Sequence, residues 1–562
     1  MKQKWLDLFA EQRSLSERIL LTLSASLFAA FTMLFFAPME LIMTNSRDIW
    51  FGADMVWWCF ALAALVVFFV LAGVGLLLRG KMLDLYVSLL FGVTLCLYLQ
   101  GNFLNIDYGT LNGQRIRWEK YGTYAVGNTA LCLFIACMPM ILHYFFEKIW
   151  KNAVRLIAFG LVAVEAITLA TVGLTQTKKQ EKYVFTMDSL FSFHQQDNVL
   201  WIVEDWFDND FVEPLLKEEP DAFSTWDGFT YYPNTVGTSA ATIPAIVEQM
   251  TDSLFNKETT YEEYLEQAWR KENLFSKLYA QGYDIRVIGD TTAFSPYAQT
   301  YISNYQKYES RITSYPTMFK LVTRLVCYRY MPHALKDAFW MEMDDFNQFR
   351  ESTQAYDTYD STLYMHLLEE PADGNYPQKT FRMLHLGGMH EGNYMDRNAI
   401  AVETDALWPL DQSLGCVKIL NELFAQMKEA GIYDQTTIII SADHGHNDWS
   451  GESRTAYSDV PFATIPNNPI LFVKPRNAAG TWQTSQAPAW VMDIAPTILQ
   501  QTGCDNEPQY GMSVLDLTEN TQRQRWFHFN NLPMYYAGYE LPLETYTITG
   551  DANDMSNWKL EK

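Results

Sequence analysis

The sequence predicts a membrane-anchored α/β protein: an N-terminal bundle of five transmembrane helices followed by an extracytoplasmic domain with a mainly parallel central sheet flanked by helices. Three observations support this fold class. Five long apolar runs fill the first third of the 562-residue chain. Further on, short apolar strands alternate with helical patterns, and several of these strands end in acidic or histidine residues. We therefore expect transmembrane helices in 1–177, a polar connector in 178–197 and the external domain in 198–562.

Each apolar run is long enough to span a membrane. A helix needs about 20 mostly apolar residues to cross the hydrocarbon core, and none of the five runs holds more than a stray charge in its middle. A secretory signal peptide would account for one run but not for five. The runs cover residues 19–43, 55–78, 82–104, 124–146 and 153–175.

Basic residues in the short connections predict the orientation of the chain. They precede the first run, join the second run to the third, and join the fourth to the fifth: Lys2, Lys4, Arg13, Arg18, Arg79, Lys81, Lys148, Lys151 and Arg155. By the positive-inside rule these connections are cytoplasmic. Arg115, Arg117 and Lys120, in the longer third-to-fourth connection, weaken the bias. We expect a multi-pass protein of the cytoplasmic membrane with a cytoplasmic N-terminus and an extracytoplasmic catalytic domain.

The formal net charge of -24 belongs mainly to the external domain and argues against nucleic acid as a partner. Three of the seven cysteines, Cys327, Cys416 and Cys504, lie outside the apolar runs, and the sequence has no CxxC pair. Neither a zinc knuckle nor a disulfide scaffold is therefore indicated.

The external region alternates strand-like and helical patterns. Continuous apolar strands separated by helices are typical of a parallel sheet that is covered on both faces. In residues 411–430, apolar side chains recur on one helical face. The predicted strands are NVLWIVED (198–205), DIRVIG (284–289), FRMLHLGG (381–388), TTIIISAD (436–443) and PILFVKP (469–475).

Acidic and imidazole side chains stand where three of these strands end. Glu204 and Asp205 end the first strand, His390 follows the third, and Asp443 with His444 ends the fourth. Ligands of parallel α/β sheets bind beyond the carboxyl ends of the strands, so these groups should share one edge. Oxygen and imidazole donors without thiolates favour Zn²⁺ or Mn²⁺, and Mg²⁺ less.

A segment rich in hydroxyl groups predicts a nucleophile. Residues 231–250 (YYPNTVGTSAATIPAIVEQM) pass from turn residues through Gly237 into Thr238 and Ser239, followed by a helical pattern. Backbone N–H groups at a helix N-terminus favour an anion, and a metal-bound hydroxyl loses its proton more easily. The alternative is an ordinary Ser or Thr helix cap.

The ordered motifs NVLWIVED, NTVGTSAATIPAI, LHLGGMHEGNY, SADHGHND, NPILFVKP and MDIAPTIL resemble the alkaline phosphatase and sulfatase superfamily. Together with five membrane helices, they resemble its lipoteichoic acid synthase and phosphoethanolamine transferase group. The resemblance covers nearly the whole chain and implies an alkaline-phosphatase-like fold for the external domain.

The resemblance implies a metal site. Asp205, preferred over Glu204, matches the ligand that ends the first strand of the family, and Asp443 with His444 matches its Asp-His-Gly pair. Ser239, five residues before Pro244, matches the family nucleophile, which is also a metal ligand; Thr238 is the alternative.

The same resemblance also bears on the roles of three further histidines. His390 matches a histidine that contacts the phosphate of the substrate or a second metal. His385 should be packed, or should support a ligand from behind. His446 stands where relatives carry Glu, and its role stays open.

The implied reaction is metal-dependent transfer of a phospholipid headgroup, glycerol phosphate or phosphoethanolamine, to a cell-envelope glycan or lipid. It would pass through a covalent phospho-Ser or phospho-Thr enzyme. The partners would be a phospholipid donor in the outer leaflet, the acceptor and the membrane itself. Loops such as 290–345, rich in Tyr and Phe, would choose the substrate.

Three alternatives remain. The first is a membrane-tethered phosphodiesterase or phosphatase, which differs only in its acceptor. The second is a sulfatase, whose Cys/Ser-x-Pro-x-Arg pattern is replaced here by Thr242, Ile243, Pro244, Ala245 and Ile246. The third is a catalytically silent envelope anchor, which should have lost a metal ligand or the nucleophile.

Overall fold

A computed structural model provides the three-dimensional structure of the chain. It divides into two compact units, residues 1–180 with 309–352 (the helical unit) and residues 181–308 with 353–562 (the catalytic unit). The structure describes residues 13–46, 48–106, 108, 116, 118–175, 181–255, 259–390, 392, 394–446, 468–505, 507–529 and 544–561. Of the predicted features, Lys2, Lys4, Arg115, Arg117, residues 178–180 of the connector, and Asn447 and Asp448 of the SADHGHND motif lie outside these residues.

The helices are α1 Leu15–Phe31, α2 Ala37–Thr44, α3 Ala53–Leu77, α4 Gly80–Phe103, α5 Gly122–Phe145, α6 Glu147–Thr175, α7 Val212–Glu218, α8 Thr242–Thr251, α9 Tyr261–Arg270, α10 Leu274–Ala280, α11 Tyr315–Tyr330, α12 His333–Lys336, α13 Asp360–Glu369, α14 Leu410–Glu429 and α15 Ile494–Thr502. A five-residue π-helix, Thr32–Phe36, joins α1 to α2.

The strands are β1 Tyr183–Phe185, β2 Asn198–Glu204, β3 Thr230–Tyr231, β4 Thr235–Val236, β5 Asp284–Ile288, β6 Tyr305–Lys307, β7 Ser310–Ile312, β8 Arg350–Ser352, β9 Thr380–Leu386, β10 Thr436–Ser441, β11 Leu471–Lys474, β12 Gln483–Thr484, β13 Ala489–Trp490, β14 Gln524–Phe529, β15 Glu544–Thr549 and β16 Trp558–Leu560.

The five apolar runs form five helices that are long and apolar enough to cross a membrane, which confirms this part of the predicted fold. Polar residues set their ends: the Ser14 hydroxyl, for example, accepts the backbone N–H of Glu17 and caps α1. The spans are Leu15–Thr44, Ala53–Leu77, Gly80–Phe103, Trp118–Phe145 and Glu147–Thr175.

Several buried polar groups inside these helices are paired. Thr32, at the start of the π-helix, donates its hydroxyl to the Glu165 carboxyl at 2.8 Å. Near the start of the bundle, the Arg13 guanidinium lies 2.6 Å from Asp84, and both side chains are buried. Such pairing is expected because an unpaired polar group in an apolar surrounding is costly.

Residues 309–352 depart from the predicted domain division, since they belong to the helical unit. The apolar face of α11 is buried there: Met318, Leu321, Val322, Leu325 and Val326 pack in one cluster with residues of α2, α3 and the loop between them. Strands β7 and β8 pair antiparallel and bring Ser310 opposite Ser352, so this excursion of the chain closes on itself. The predicted substrate loops at 290–345 are therefore divided between the two units.

The core of the catalytic unit is a seven-stranded sheet in the order β12-β3-β11-β10-β2-β9-β5. Strands β10, β2, β9 and β5 run parallel, whereas β11 pairs antiparallel with both of its neighbours. All residues of β2, β9 and β10 are buried, which accounts for their continuously apolar sequences. The predicted, mostly parallel sheet is confirmed.

The register of the parallel strands places their carboxyl ends together. Ser441 of β10 lies opposite Val203 of β2, and Val203 lies opposite His385 of β9. The residues that follow these strands, Asp205 and Asp443 among them, therefore meet at one edge of the sheet. The predicted connector is not wholly irregular, because its residues 183–185 form β1 and pair with β6.

Candidate active site

Two buried carboxylates form the centre of the site. Asp205 follows β2 directly, and Asp443 lies two residues beyond the end of β10. One oxygen of Asp443, Oδ1, accepts the backbone N–H groups of His444 at 2.9 Å and Trp206 at 3.3 Å. These bonds fix Asp443 and leave its other oxygen to face Asp205 and the histidines.

The two carboxylates repel each other. Burial, together with the negative charge of Asp443, raises the pKa of Asp205 well above its ordinary value. Burial also opposes ionisation of Asp443, but the His444 and His385 rings and the His444 N–H hold the pKa of Asp443 below its ordinary value. Two acids this close require a positive charge between them if both are to ionise.

Two imidazoles adjoin the carboxylates. His444 Nε2 lies 3.5 Å from Asp443 Oδ2 and 3.7 Å from Asp205 Oδ1. His444 Nδ1 lies 2.8 Å from the carbonyl oxygen of Gly445. A carbonyl only accepts, so Nδ1 carries the hydrogen and Nε2 presents its lone pair to the carboxylates. Burial lowers the pKa of His444, which favours the neutral ring that binds metals.

His385 contributes the second imidazole. Its Nε2 lies 3.9 Å from Asp443 Oδ2. The motif predicts a packed or supporting residue. In the structure, His385 lies near the end of β9, opposite Val203, and its ring reaches the carboxylates. Burial lowers the pKa of His385 as well.

The group fits a divalent cation. Asp205, His385 and Asp443 each offer a ligand atom, and these atoms lie within 4.8 Å of one another. Asp205 Oδ1, Asp443 Oδ2 and His385 Nε2 are buried, and within the described residues they have no hydrogen-bond partner. Oxygen and imidazole donors suit Zn²⁺ or Mn²⁺. The metal-ligand roles themselves stay predictions.

The hydroxyl next to this group is that of Thr242. Its Oγ1 lies 3.4 Å from Asp205 Oδ2 and 3.4 Å from His444 Nε2. Thr242 is the first residue of α8 and follows Ala241, whose backbone is extended. The side chain is half-buried and lines the cavity described below.

The structure does not bring Ser239 or Thr238 to the carboxylates. Both residues are fully buried. Thr238 lies beside the buried carboxyl of Glu248, and its carbonyl accepts the N–H of His528 at 2.7 Å. In the described part of the chain, no hydrogen bond joins the Ser239 hydroxyl to any other group.

The difference arises from the offset to the proline. A distance of five residues before Pro244 gives Ser239, whereas the hydroxyl that lines the cavity is that of Thr242, two residues before this proline. The sequence signal is Thr242-Ile243-Pro244, which on its own indicates only a departure from the sulfatase pattern.

Glu204 and Asp205 are neighbours in sequence with different surroundings. Glu204 lies in a small apolar cavity with Phe207, Trp226 and Cys416. Burial and the nearby Asp360 raise the pKa of Glu204 to about 8. The Glu204 carboxyl is thus directed into the core beneath α14, which agrees with the preference for Asp205 as the ligand.

The Trp206 ring packs against two further histidines, His390 and His446. Its ring centroid lies 5.0 Å from that of His390 and 5.3 Å from that of His446. His446 also packs against Trp408 and Phe211, at 5.2 and 5.6 Å, so its ring lies in an aromatic cluster. His390 lines the cavity, in keeping with the substrate contact expected of it.

A cavity of about 410 Å³ opens onto Asp205. It is large enough for a small ligand or a phospholipid headgroup. Its wall carries positively and negatively charged side chains and several hydroxyl groups. The lining residues include Lys182, Asp205, Thr242, Asp290, Thr291, Tyr356, Thr358, His385, Gly387 and His390.

Comparison with known proteins agrees with this arrangement. Residues 197–504 match the family model named Sulfatase, which covers more than half of the chain. No match is found among curated proteins.

Several solved structures are similar to this chain. Phosphonate monoester hydrolase SpPMH from Silicibacter pomeroyi is 15% identical, with 65% of this chain and 88% of that chain covered and a TM-score of 0.37. The lipoteichoic acid synthase LtaP from Listeria monocytogenes is 12% identical, with 67% and 90% covered and a TM-score of 0.38. A protein of the alkaline phosphatase superfamily from Vibrio parahaemolyticus is 12% identical, with 69% and 86% covered and a TM-score of 0.40.

The matched residues 197–504 contain the sheet, both carboxylates, both imidazoles and Thr242. The family is one of hydrolases and transferases that use divalent metals, in keeping with the buried Asp-His-Asp group. The chain belongs to the sulfatase family.

Proposed function

We propose that the catalytic unit transfers a phospholipid headgroup, glycerol phosphate or phosphoethanolamine, to a cell-envelope glycan or lipid, with Thr242 as the nucleophile. The observation that carries this proposal is the position of Thr242 Oγ1, 3.4 Å from both Asp205 Oδ2 and His444 Nε2 on the wall of the cavity. A covalent phospho-threonine would form and then be resolved by an acceptor hydroxyl.

The chain's own groups would prepare the nucleophile. Asp205 Oδ2 and His444 Nε2 are the two acceptors within reach of the Thr242 hydroxyl, and either draws its proton away. Asp205, Asp443, His444 and His385 would hold the cation. When bound, a divalent cation lowers the pKa of the hydroxyl and neutralises charge on the transferred phosphoryl group.

The transfer has two balanced steps. Thr242 Oγ forms a bond to phosphorus while the bond from phosphorus to the diacylglycerol oxygen breaks, and that oxygen takes a proton. His390, on the cavity wall beside Trp206, is placed to donate the proton. The acceptor hydroxyl then attacks phosphorus and gives up its proton to His390, while the bond from phosphorus to Thr242 Oγ breaks and Thr242 takes back its own proton from Asp205 or His444.

The donor class follows from the five apolar helices. They would keep the catalytic unit at a membrane surface, and the basic residues of the short connections support an orientation with this unit outside the cytoplasm. The donor would then be a phospholipid of the outer leaflet.

Hydrolysis is the second candidate function, since water could replace the acceptor at the same phospho-threonine. Sulfatase chemistry is less well supported. Formylglycine arises by oxidation of a Cys or Ser to an aldehyde, whereas Thr242 carries a secondary alcohol and cannot give one. A silent anchor is disfavoured because the carboxylates, imidazoles and hydroxyl are all in place.

The test uses the full chain in detergent with phosphatidylglycerol or phosphatidylethanolamine labelled in the headgroup. We expect mass spectrometry to find the label on Thr242, and Thr242→Ala to abolish both the adduct and diacylglycerol release. Ser239→Ala, three residues away, is the matched control and should keep both. Label on Ser239 or Thr238, or undiminished diacylglycerol release by Thr242→Ala, would contradict the proposal.

A further inference from the structure

The loop Gly387–His390 joins β9 to the site and is hydrogen-bonded to the backbone of Asp205. The N–H of Asp205 donates to the Leu386 carbonyl at 3.3 Å, and the N–H of Met389 donates to the Asp205 carbonyl at 2.7 Å. Within the loop, His390 N–H donates to the Gly387 carbonyl at 2.9 Å, which closes a turn. A shift of this loop would therefore move Asp205 and His390 together.

Gly388 brings the loop into close contact with Asp205. Its φ is +54°, which favours glycine. A Cβ atom built on Gly388 would lie 2.6 Å from both the backbone nitrogen and the backbone oxygen of Asp205. No side chain fits there, so the two backbones are in direct contact.

Asp360 holds this loop through two of its backbone amides. It is the first residue of α13, and it is 3% exposed. Its Oδ1 accepts the N–H of Gly387 and its Oδ2 accepts the N–H of Gly388, each at 2.8 Å. Both oxygens are thus used by consecutive amides of the loop, a bidentate arrangement that fixes the loop's direction as well as its distance.

Two carbonyl groups of the loop also accept hydrogen bonds from neighbouring side chains. Gln412 of α14 donates its side-chain amide to the Gly388 carbonyl at 2.6 Å, and Trp408 Nε1 donates to the Met389 carbonyl at 3.1 Å. Neutral donors thus bind the loop carbonyls, whereas Asp360 supplies the only charged contact to this loop among those described for its backbone.

We propose that Asp360 is a positioning residue: through Gly387 and Gly388 it sets where Asp205 and His390 stand in the site. It does not line the cavity, so it acts through the loop and not on the substrate. Groups that orient a metal ligand from behind typically change metal affinity or activity by about 10- to 100-fold when removed. The inference rests on the proposed function only where turnover is measured.

The first variant is Asp360→Asn in the full chain in detergent. An amide oxygen can accept one of the two N–H groups, and the amide NH₂ then faces the other. We expect Mn²⁺, titrated alone by calorimetry, to bind about 10-fold or more weakly, and the amides of residues 387–390 to exchange hydrogen faster. With a labelled phospholipid, kcat should fall while KM changes little.

Asp357→Asn is the matched control. Asp357 lies three residues earlier, is exposed, and bonds to Tyr359 and Thr362 but not to the loop. Its Mn²⁺ affinity and exchange rates should equal those of the wild type. Equal Mn²⁺ affinity and equal loop protection in Asp360→Asn and Asp357→Asn would overturn the proposal.

Asp360→Glu keeps the charge and both acceptors but moves them by one methylene. We expect it to recover part of the Mn²⁺ affinity lost in Asp360→Asn. If Asp360→Asn does not fold, the Mn²⁺ affinity of Asp360→Glu is compared with that of Asp357→Glu. Equal affinity of these two variants would overturn the proposal. Metal binding and hydrogen exchange are measured without substrate. If the proposed function is wrong, the wild type will show no turnover, and both measurements still test the role of Asp360.

Discussion

Two regions of the catalytic unit hold buried hydroxyl and carboxyl groups side by side, and only one opens to the cavity. At the cavity, Thr242 Oγ1 lies 3.4 Å from Asp205. Behind it, on the same segment, Thr238 lies beside Glu248, and Ser239 is fully buried. The comparison teaches that a hydroxyl beside an acid is not enough for a nucleophile. Two features distinguish the first region from the second. It is open to the cavity, and it holds a second carboxyl group, so that a cation is needed to balance the two charges.

Replacing Asp443 by Asn should have the largest effect. The substitution removes one of two facing charges, so we expect Mn²⁺ affinity to fall about 100-fold and turnover at least about 10³-fold. Calorimetry and turnover assays check these outcomes.

Asp434→Asn is the control for this change, since Asp434 is exposed at the other end of β10. Unchanged Mn²⁺ binding in Asp443→Asn would show that the carboxylate pair is not a metal site.

The two hydroxyl regions should respond oppositely to alanine. Thr242→Ala should lower turnover by about 10³-fold while Mn²⁺ is still bound. Ser239→Ala should leave turnover within about threefold and, because it removes a buried hydroxyl without a partner, stabilise the fold by about 1 kcal/mol. Turnover assays and melting curves of both variants test this. A turnover loss in Ser239→Ala that exceeds that in Thr242→Ala would restore the sequence-based assignment.

Glu248 should make stability depend on pH. Burial raises its pKa from 4.5 to about 7. A carboxyl with a raised pKa is uncharged in the folded chain at low pH, and the folded state loses stability as pH rises from about 4.5 through 7. The stability of Glu248→Gln relative to the wild type should therefore be greater at pH 8 than at pH 5, by at most on the order of 3 kcal/mol.

Melting curves at pH 5 and pH 8 measure this effect, with Glu262→Gln on the exposed face of α9 as the control. A difference between Glu248→Gln and the wild type that is the same at both pH values would contradict it.

The large features of the fold could be predicted because each has a periodic or compositional cause. Five runs of apolar residues predict five spanning helices, and uninterrupted strands such as residues 436–443 predict a covered parallel sheet. Ligands of parallel sheets bind beyond the carboxyl ends of the strands, which predicts that Asp205, Asp443 and His444 share one edge. The structure places them there.

The remaining features depend on packing that a single sequence does not specify. Thr242 lines the cavity, whereas Ser239 is fully buried. His385 points into the site because it is the last residue of β9 on that face of the sheet. The amphipathic helix Tyr315–Tyr330 has an apolar face whose partner, the N-terminal helices, no local pattern could name.

The excursion of residues 309–352 bears on how the catalytic unit can be produced without a membrane. Cutting the chain at residue 181 would leave the apolar face of α11, with Leu321, Val322 and Val326, uncovered, and such a fragment should aggregate. Since Ser310 and Ser352 are paired across β7 and β8, their backbones lie roughly 5 Å apart. A short turn could therefore close the gap between them, and a chain of residues 181–309 spliced to 353–562 is the rational starting point for a water-soluble enzyme.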